Sequence, residues 1–296
     1  EYAADGIIRN VDFALEDSLT CVKSQGFRGS CGAHAVVAGV ETAAMASGGG
    51  PENLAEQSVY FFGKVGGDWR LRYESGMAVD LALQAMIANG WLFPFESDWN
   101  YNQSPGIQDL DPVTNQRPGS CDVAYDGEMC TDYEFQAVER IDLVLGLPTL
   151  VEYDFPAAAS GSGHAISSWA TIPDFDVPPG GPFAALQLET AALLLESGVP
   201  VVATIAVPDA FRAPAPGGYI RNVAGQVARG THAILLVGFV SNADLPAGVT
   251  LDAGPLGGYF VAKNSWGTSW ADCGFAYLAS DFLDAWGSAY QAIEID

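Results

Sequence analysis

The chain has 296 residues, 49% of them hydrophobic, enough for a large core in one large domain or two small ones. Its 36 acidic residues against 12 basic ones leave a net charge of −24, a surface that repels nucleic acid and anionic membranes. No apolar run approaches the ~18 residues of a membrane-spanning helix.

The first residue is Glu1 and no leader-like segment follows it. A secreted chain (extracellular or periplasmic) in its mature form is therefore expected, with leader and propeptide removed. The first strong element starts at Cys31. Ser30 is a favoured N-cap, and Gly32 to Met45 is rich in Ala and Val with no proline. This predicts a helix over 31–46, stopped by Gly48-Gly49-Gly50-Pro51. Leu54 to Lys64 reads as a second helix, and Gly76 to Asn89 as a third, closed by Gly90. Residues 100–130 are rich in Asn, Asp, Gly and Pro and read as loop. Residues 154–182, low in charge and rich in Ala, Ser, Gly and Pro, read as a surface excursion. Phe183 to Ser197 is a further helix. After it come four short β-branched or aromatic runs bounded by Gly, Pro or Asn: Val199 to Val207, His232 to Val240, Gly258 to Lys263, and Gly274 to Leu278. Helices first and strands later predict an α+β fold with two lobes facing each other.

There are five cysteines, Cys21, Cys31, Cys121, Cys130 and Cys273. An odd number leaves at least one thiol outside any intrachain bridge. None of the spacings is that of a zinc site. Two bridges and one thiol suit a secreted protein. Cys121 and Cys130 are expected to staple a local loop, and Cys21 and Cys273 to form a long-range bridge. Asp109, Asp111 and Asp122 lack the spacing of a calcium loop and read as solvated acids. No metal or cofactor is expected.

Cys31 ends the run Gln25-Gly26-Phe27-Arg28-Gly29-Ser30. A thiol in a first helical turn feels the positive end of the helix dipole and unpaired N–H groups, and both favour the thiolate. A thiolate nucleophile needs a base, a group that orients the base, and oxyanion donors. The histidines are His34, His164 and His232. His34, three residues after Cys31 on the same helix, leaves little room for a substrate carbonyl. His164 sits in a flexible Gly-Ser-Gly context. His232 opens an apparent buried strand, a rigid mount for a base. Lys263-Asn264-Ser265-Trp266-Gly267-Thr268-Ser269-Trp270 then supplies an Asn to accept the imidazole N–H and a Trp to shield that bond.

Gln25 to Cys31, His232 to Gly238 and Lys263 to Trp270 together resemble the papain-like cysteine proteases. Val11-Asp12-Phe13, Leu54-Ala55-Glu56-Gln57, and Ala82-Leu83-Gln84 through Gly90 add to the likeness. It covers roughly two-thirds of the chain and leaves about 100–198 without a clear counterpart. The resemblance implies a papain-like two-lobed fold: a helical left lobe, an antiparallel β-barrel-like right lobe, and the active-site cleft between them. It implies Cys31 as nucleophile, His232 as general base and acid, Asn264 as orienter with Trp266 over the bond, and Gln25 as an oxyanion donor with the Cys31 backbone N–H. Trp270 would line the leaving-group side of the cleft. Within the single catalytic unit 1–296, the nucleophile's lobe would span about 14–120, and the lobe of His232 and Asn264 about 121–296, with an insertion inside 100–198.

Four departures from the family pattern stand out. Gly32 replaces a large residue, which would thin the wall beside the sulfur. Arg28 replaces a cysteine whose partner position holds Glu74, so an Arg28–Glu74 ion pair is expected in place of that disulfide. Gly76-Met77 replaces a Gly-Gly pair that binds substrate backbone. Cys31 and His232 lie 201 positions apart, against roughly 130–150 in the family. Thr231 is also expected to bind substrate, and, by alignment, Ala78, Val79, Thr204 and Ala233 line the specificity pocket. Its small apolar walls favour Leu, Val, Phe or Tyr two residues before the scissile bond.

These readings predict a secreted, monomeric cysteine endopeptidase acting on proteins or peptides, with its removed propeptide as inhibitor. The alternatives are a catalytically silent binding or storage protein, and an exopeptidase or transacylase on the same scaffold.

Overall fold

The structure, a computed structural model, describes residues 13–26, 29–66, 76–99, 101, 140–142, 147–149, 164, 166–172, 182–215 and 217–295. The expected Arg28–Glu74 pair and Cys121–Cys130 staple lie outside the described residues.

The elements are α1 (Cys31–Ala46), α2 (Glu56–Gly66), α3 (Val79–Asn89), β1 (Arg140–Asp142), β2 (Leu147–Thr149), β3 (Ile166–Thr171), α4 (Pro182–Glu196), β4 (Val201–Ala206) and α5 (Asp209–Arg212). They continue with β5 (Tyr219–Ile220), β6 (Thr231–Ser241), β7 (Gly258–Lys263), β8 (Phe275–Ala279), α6 (Ser280–Trp286) and β9 (Gly287–Ile295). The α+β expectation holds.

The element starts differ from the sequence reading for local reasons. α2 begins at Glu56 because Leu54 is held in an antiparallel bridge to Phe95 and the Ala55 N–H donates to the Pro94 carbonyl at 2.9 Å. α3 begins at Val79 because Gly76 has φ +105° and Ala78 is extended, and neither can be helical. Its end is as expected: Gly90 caps it at φ 62°, a left-handed turn that glycine adopts without a Cβ penalty.

Two compact units share the described residues. The first takes residues 1–25, 34–52 and 166–296; the second takes 26–33 and 53–165. The units interleave along the chain, and α1 starts in the second and continues in the first.

The first unit is built on a seven-stranded sheet in the order β3-β9-β4-β6-β7-β8-β5. Every pairing is antiparallel except β5 with β8. β3 falls within the stretch expected to be a surface excursion. It is an edge strand, with Ile166 buried and Ser168 and Ala170 exposed, and its partner β9 supplies the hydrogen bonds that composition does not reveal. β7 and β8 are buried throughout, and α4 packs on β6. The Cβ that Gly39 of α1 lacks would lie 3.1 Å from Ile293 and 3.3 Å from Leu235, so glycine lets α1 come close to the sheet.

Beside this core lies a buried polar chain. Lys263 Nζ donates to Thr20 Oγ1 at 2.7 Å, and the Thr20 hydroxyl donates to Glu41 Oε2 at 2.7 Å. Lys23 Nζ donates to Glu41 Oε1 at 2.9 Å. The N-terminal segment, α1 and the end of β7 are thus tied together by charge-assisted bonds.

The second unit holds the start of α1, with α2, α3 and the β1–β2 hairpin. α2 and α3 pack together through Gly63, whose absent Cβ would lie 3.1 Å from both Ala82 Cβ and Met77 Sδ.

Candidate active site

In the first unit, β6 carries His232 at its second position, opposite Ile205 of β4, and β7 delivers Asn264 just past its end. Both side chains are buried. His232 Nε2 and Asn264 Oδ1 are 2.7 Å apart. The Ser265 backbone N–H also points at Asn264 Oδ1, at 2.8 Å. A backbone N–H can only donate, so that atom is the amide oxygen, and Nε2 must carry the proton. The neutral ring then has its lone pair on Nδ1. Burial pushes the His232 pKa down, with a nearby His34 acting the same way and the Asn264 bond opposing, and the balance stands at about 4. The imidazole is thus held neutral and basic at Nδ1 over most of the pH range.

Aromatic rings enclose this pair. Trp266 lies 4.6 Å from the His232 ring, as a shield would. Phe211 of α5 is fully buried, 5.9 Å from His232, 5.4 Å from Trp266 and 5.0 Å from Trp270. The Trp270 indole N–H donates to the Phe211 carbonyl at 3.3 Å. Sequence reasoning missed Phe211, because it stands on a four-residue helix with no periodic pattern. Of the expected pocket residues in this unit, Thr204 pairs with Ala233 across β4 and β6, and Thr231 precedes His232.

Gln25 is buried and bound to the same loop: its backbone N–H donates to the Ser265 carbonyl at 2.8 Å, and its Oε1 accepts the Ser265 hydroxyl at 2.7 Å. An antiparallel bridge joins Ser24 to Trp266.

The loop after Trp270 carries strain. Ala271 and Cys273 have φ of +49° and +52°, the left-handed region that costs a residue with a Cβ roughly 1–2 kcal/mol. Ala271→Gly is expected to raise stability by about 1 kcal/mol, net of the added chain entropy. Thermal denaturation measures it, and an unchanged or lower Tm would refute the strain.

The expected Cys21–Cys273 bridge is not formed; both cysteines are exposed thiols. The Val22 side chain is turned onto this loop. It lies against Gly274, which has φ +93° and no room for a Cβ.

In the second unit, α1 starts at Cys31, a half-exposed thiol in the first helical turn. The Ser30 hydroxyl bonds the Tyr101 hydroxyl. Gly76, Met77, Ala78 and Val79 precede or open α3. Two departures from the family pattern meet here. A Cβ on Gly32 would lie 3.0 Å from Val79 Cγ2, 3.2 Å from Met77 Cγ and 3.4 Å from Met77 Cε. Met77 and Val79 fill the space that glycine leaves, so the wall beside Gly32 is not thinned. His164 takes part through its backbone, accepting the Phe93 N–H at 3.0 Å.

The papain family cysteine protease model matches residues 110–293, more than half of the chain. The chain belongs to the papain family of cysteine proteases. As a member of that family it is a cysteine peptidase, and proteins or peptides are its substrates. The matched span includes His232 and Asn264, while Gln25 and Cys31 precede it. It also takes in most of 100–198, the stretch for which sequence motifs offered no counterpart.

Solved papain-fold structures resemble the chain over nearly its full length. Xylellain, a cysteine protease from Xylella fastidiosa, is 16% identical with a TM-score of 0.59, over 98% of this chain and 95% of that one. Digestive procathepsin L 3 from the larval midgut of Tenebrio molitor is 15% identical with a TM-score of 0.54, over 99% and 72%. Bromelain from Ananas comosus, in complex with the E64 inhibitor, is 17% identical with a TM-score of 0.54, over 94% and 95%. No curated protein sequence matches the chain.

Proposed function

We propose that the chain is an endopeptidase that cleaves peptide bonds through an acyl-thioester on Cys31. His232 Nδ1 takes the thiol proton, and the sulfur attacks the scissile carbonyl carbon. Gln25 and the Cys31 backbone N–H donate to the oxyanion. The imidazolium returns its proton to the leaving amine as the C–N bond breaks. His232 then deprotonates water, whose attack on the thioester releases the acid and the thiol. Asn264 holds the ring throughout.

The observation that carries this reading is the His232–Asn264 pair, with Nε2 protonated and Nδ1 basic. Thr204, Thr231 and Ala233 in one unit, with Gly76, Met77, Ala78 and Val79 in the other, remain the residues proposed to bind the substrate. Secretion is part of this proposal: an oxidising compartment suits the expected Cys121–Cys130 bridge.

Two measurements test the pairing. Iodoacetamide or E64 should modify Cys31 stoichiometrically and abolish peptidase activity. By NMR, His232 should titrate at about 4 in the parent protein. Cys31→Ala should move that titration, because it removes the group proposed to exchange a proton with the ring. Identical His232 titrations in the two proteins would sink the Cys31–His232 assignment.

A further inference from the structure

We infer that Gln226 and Arg229 are positioning residues: from the loop that leads into His232 they hold α5 in place, and with it the Phe211 ring that covers the His232–Asn264 pair. This rests on the proposed roles of His232 and Asn264. Phe211 is buried among His232, Trp266 and Trp270, and its carbonyl accepts the Trp270 indole N–H. Its helix is four residues long, too short to stand by itself. What keeps that turn formed therefore decides where the ring sits.

The helix supplies no cap of its own. Pro208 stands at the N-cap without a side-chain acceptor, so the first N–H groups of α5 need partners from elsewhere. The Ala210 N–H finds one in Gln226 Oε1 at 3.1 Å. A backbone N–H only donates, so that end of the Gln226 amide is its oxygen. One residue earlier, Asp209 takes Arg229 in a two-point pair, Nε to Oδ1 at 2.9 Å and Nη2 to Oδ2 at 3.3 Å. Beside this clasp the Arg229 N–H donates to the Val207 carbonyl and the Val207 N–H to the Gly230 carbonyl, each at 2.9 Å, so β4 and β6 keep their register without it.

The loop is a firm base for that grip. Residues 221–230 join β5 to β6. At their start the Asn222 N–H donates to Asp281 Oδ1 at 3.0 Å and the Trp286 indole N–H to Asn222 Oδ1 at 3.1 Å, which ties the loop to α6. At their end they become β6, with His232 as its second residue. The two side-chain ties differ in kind. Gln226 is half-buried, whereas the side chains of Arg229 and Asp209 are 62% and 60% exposed, so salt screens the ion pair and spares the cap.

The test reads α5 through the Trp270 indole N–H, whose bond to the Phe211 carbonyl opens when the turn lifts. Its hydrogen exchange is followed by NMR, with Trp270→Phe assigning the signal, beside kcat on a fluorogenic Phe-Arg amide. Gln226→Met should speed the indole exchange about fivefold, the factor by which a lost cap shifts a local equilibrium. The Val261 N–H, in the middle of β7, should keep its rate. The kcat should fall about threefold with KM little changed. Gln226→Glu, which keeps the accepting oxygen, should restore both. Arg229→Gln should have a smaller effect, and added salt should bring the parent to its level. In Phe211→Leu the further loss from Gln226→Met should shrink, because the ring it seats is gone; if that background does not fold, the exchange ratio and the rescue decide alone. Parental exchange in either variant at low salt, parental kcat in Gln226→Met, equal acceleration of Trp270 and Val261, or a fully additive loss in Phe211→Leu would overturn the inference. Activity that survives His232→Ala would overturn the assignment beneath it and leave the exchange result standing.

Discussion

Replacing His232 with alanine is expected to lower kcat/KM by about 10⁴-fold, the upper range for a positioned general base. The ring is mounted on a largely buried strand of the sheet, its Nε2 proton is pinned by Asn264, and Trp266 and Phe211 exclude water from it. Alanine removes the only group proposed to move protons at each step. Phe211→Leu should act in the same direction but less, by letting water reach the ring. Loss of less than about tenfold in His232→Ala would show that another group is the base.

The same substitution has a stability signature. His232 has a folded pKa of about 4 against 6.5 unfolded. Between those values the unfolded chain binds the extra proton, so stability is complete above pH 6.5 and falls as the pH drops through 4. The loss by pH 4 is on the order of 3 kcal/mol. Melting curves of Cys31→Ala and Cys31→Ala/His232→Ala at pH 7 and pH 4 should therefore differ, the double variant losing less on acidification. Equal acid sensitivity would mean that burial does not hold the ring neutral.

Asp252→Ala is expected to be the most damaging substitution away from the site, at about 4 kcal/mol or more. The Asp252 carboxylate is buried in the connection between β6 and β7. It accepts the N–H groups of Gly254 and Gly258, each at 3.0 Å, the Asp281 N–H at 3.3 Å and the Ser280 hydroxyl. Two of these donors open α6, so one carboxylate both closes the loop and satisfies a helix N-terminus. Asn242 holds the Asp252 backbone on the other side through a pair of 2.8 Å bonds. Alanine strands several donors where water has no ready access. The fall in Tm should be about 10 °C. A drop of only one or two degrees would mean that the loop re-forms its bonds without the carboxylate.

Much of the site was legible in local sequence. Ser30 before an Ala-rich run marks where α1 starts, because capping and helix propensity act within a few residues. His232 could be set on a strand and Asn264 beyond the next one because apolar runs bounded by Gly and Asn are local too. Phe211 gave no such signal, since a four-residue helix has no period, and its importance comes from rings far away in the chain. Ser265 was visible within its motif, but its hydrogen bond to Gln25, 240 residues earlier, was not. Parity and position predict a Cys21–Cys273 bridge, whereas a disulfide depends on which way side chains turn, and here both thiols stay apart while Val22 lies against Gly274.

The chain's own residues determined the family and most of the helices and strands, and they point to the proposed nucleophile and base. These depend on short motifs and on periodicity. Tertiary structure alone decided that β3 and β9 join the sheet, that Asp252 is a hub, and that Met77 fills the space beside Gly32. It also decided which nitrogen of His232 carries the proton. Each of these depends on partners distant in sequence, and hydrogen-bond direction and packing space exist only once those partners meet.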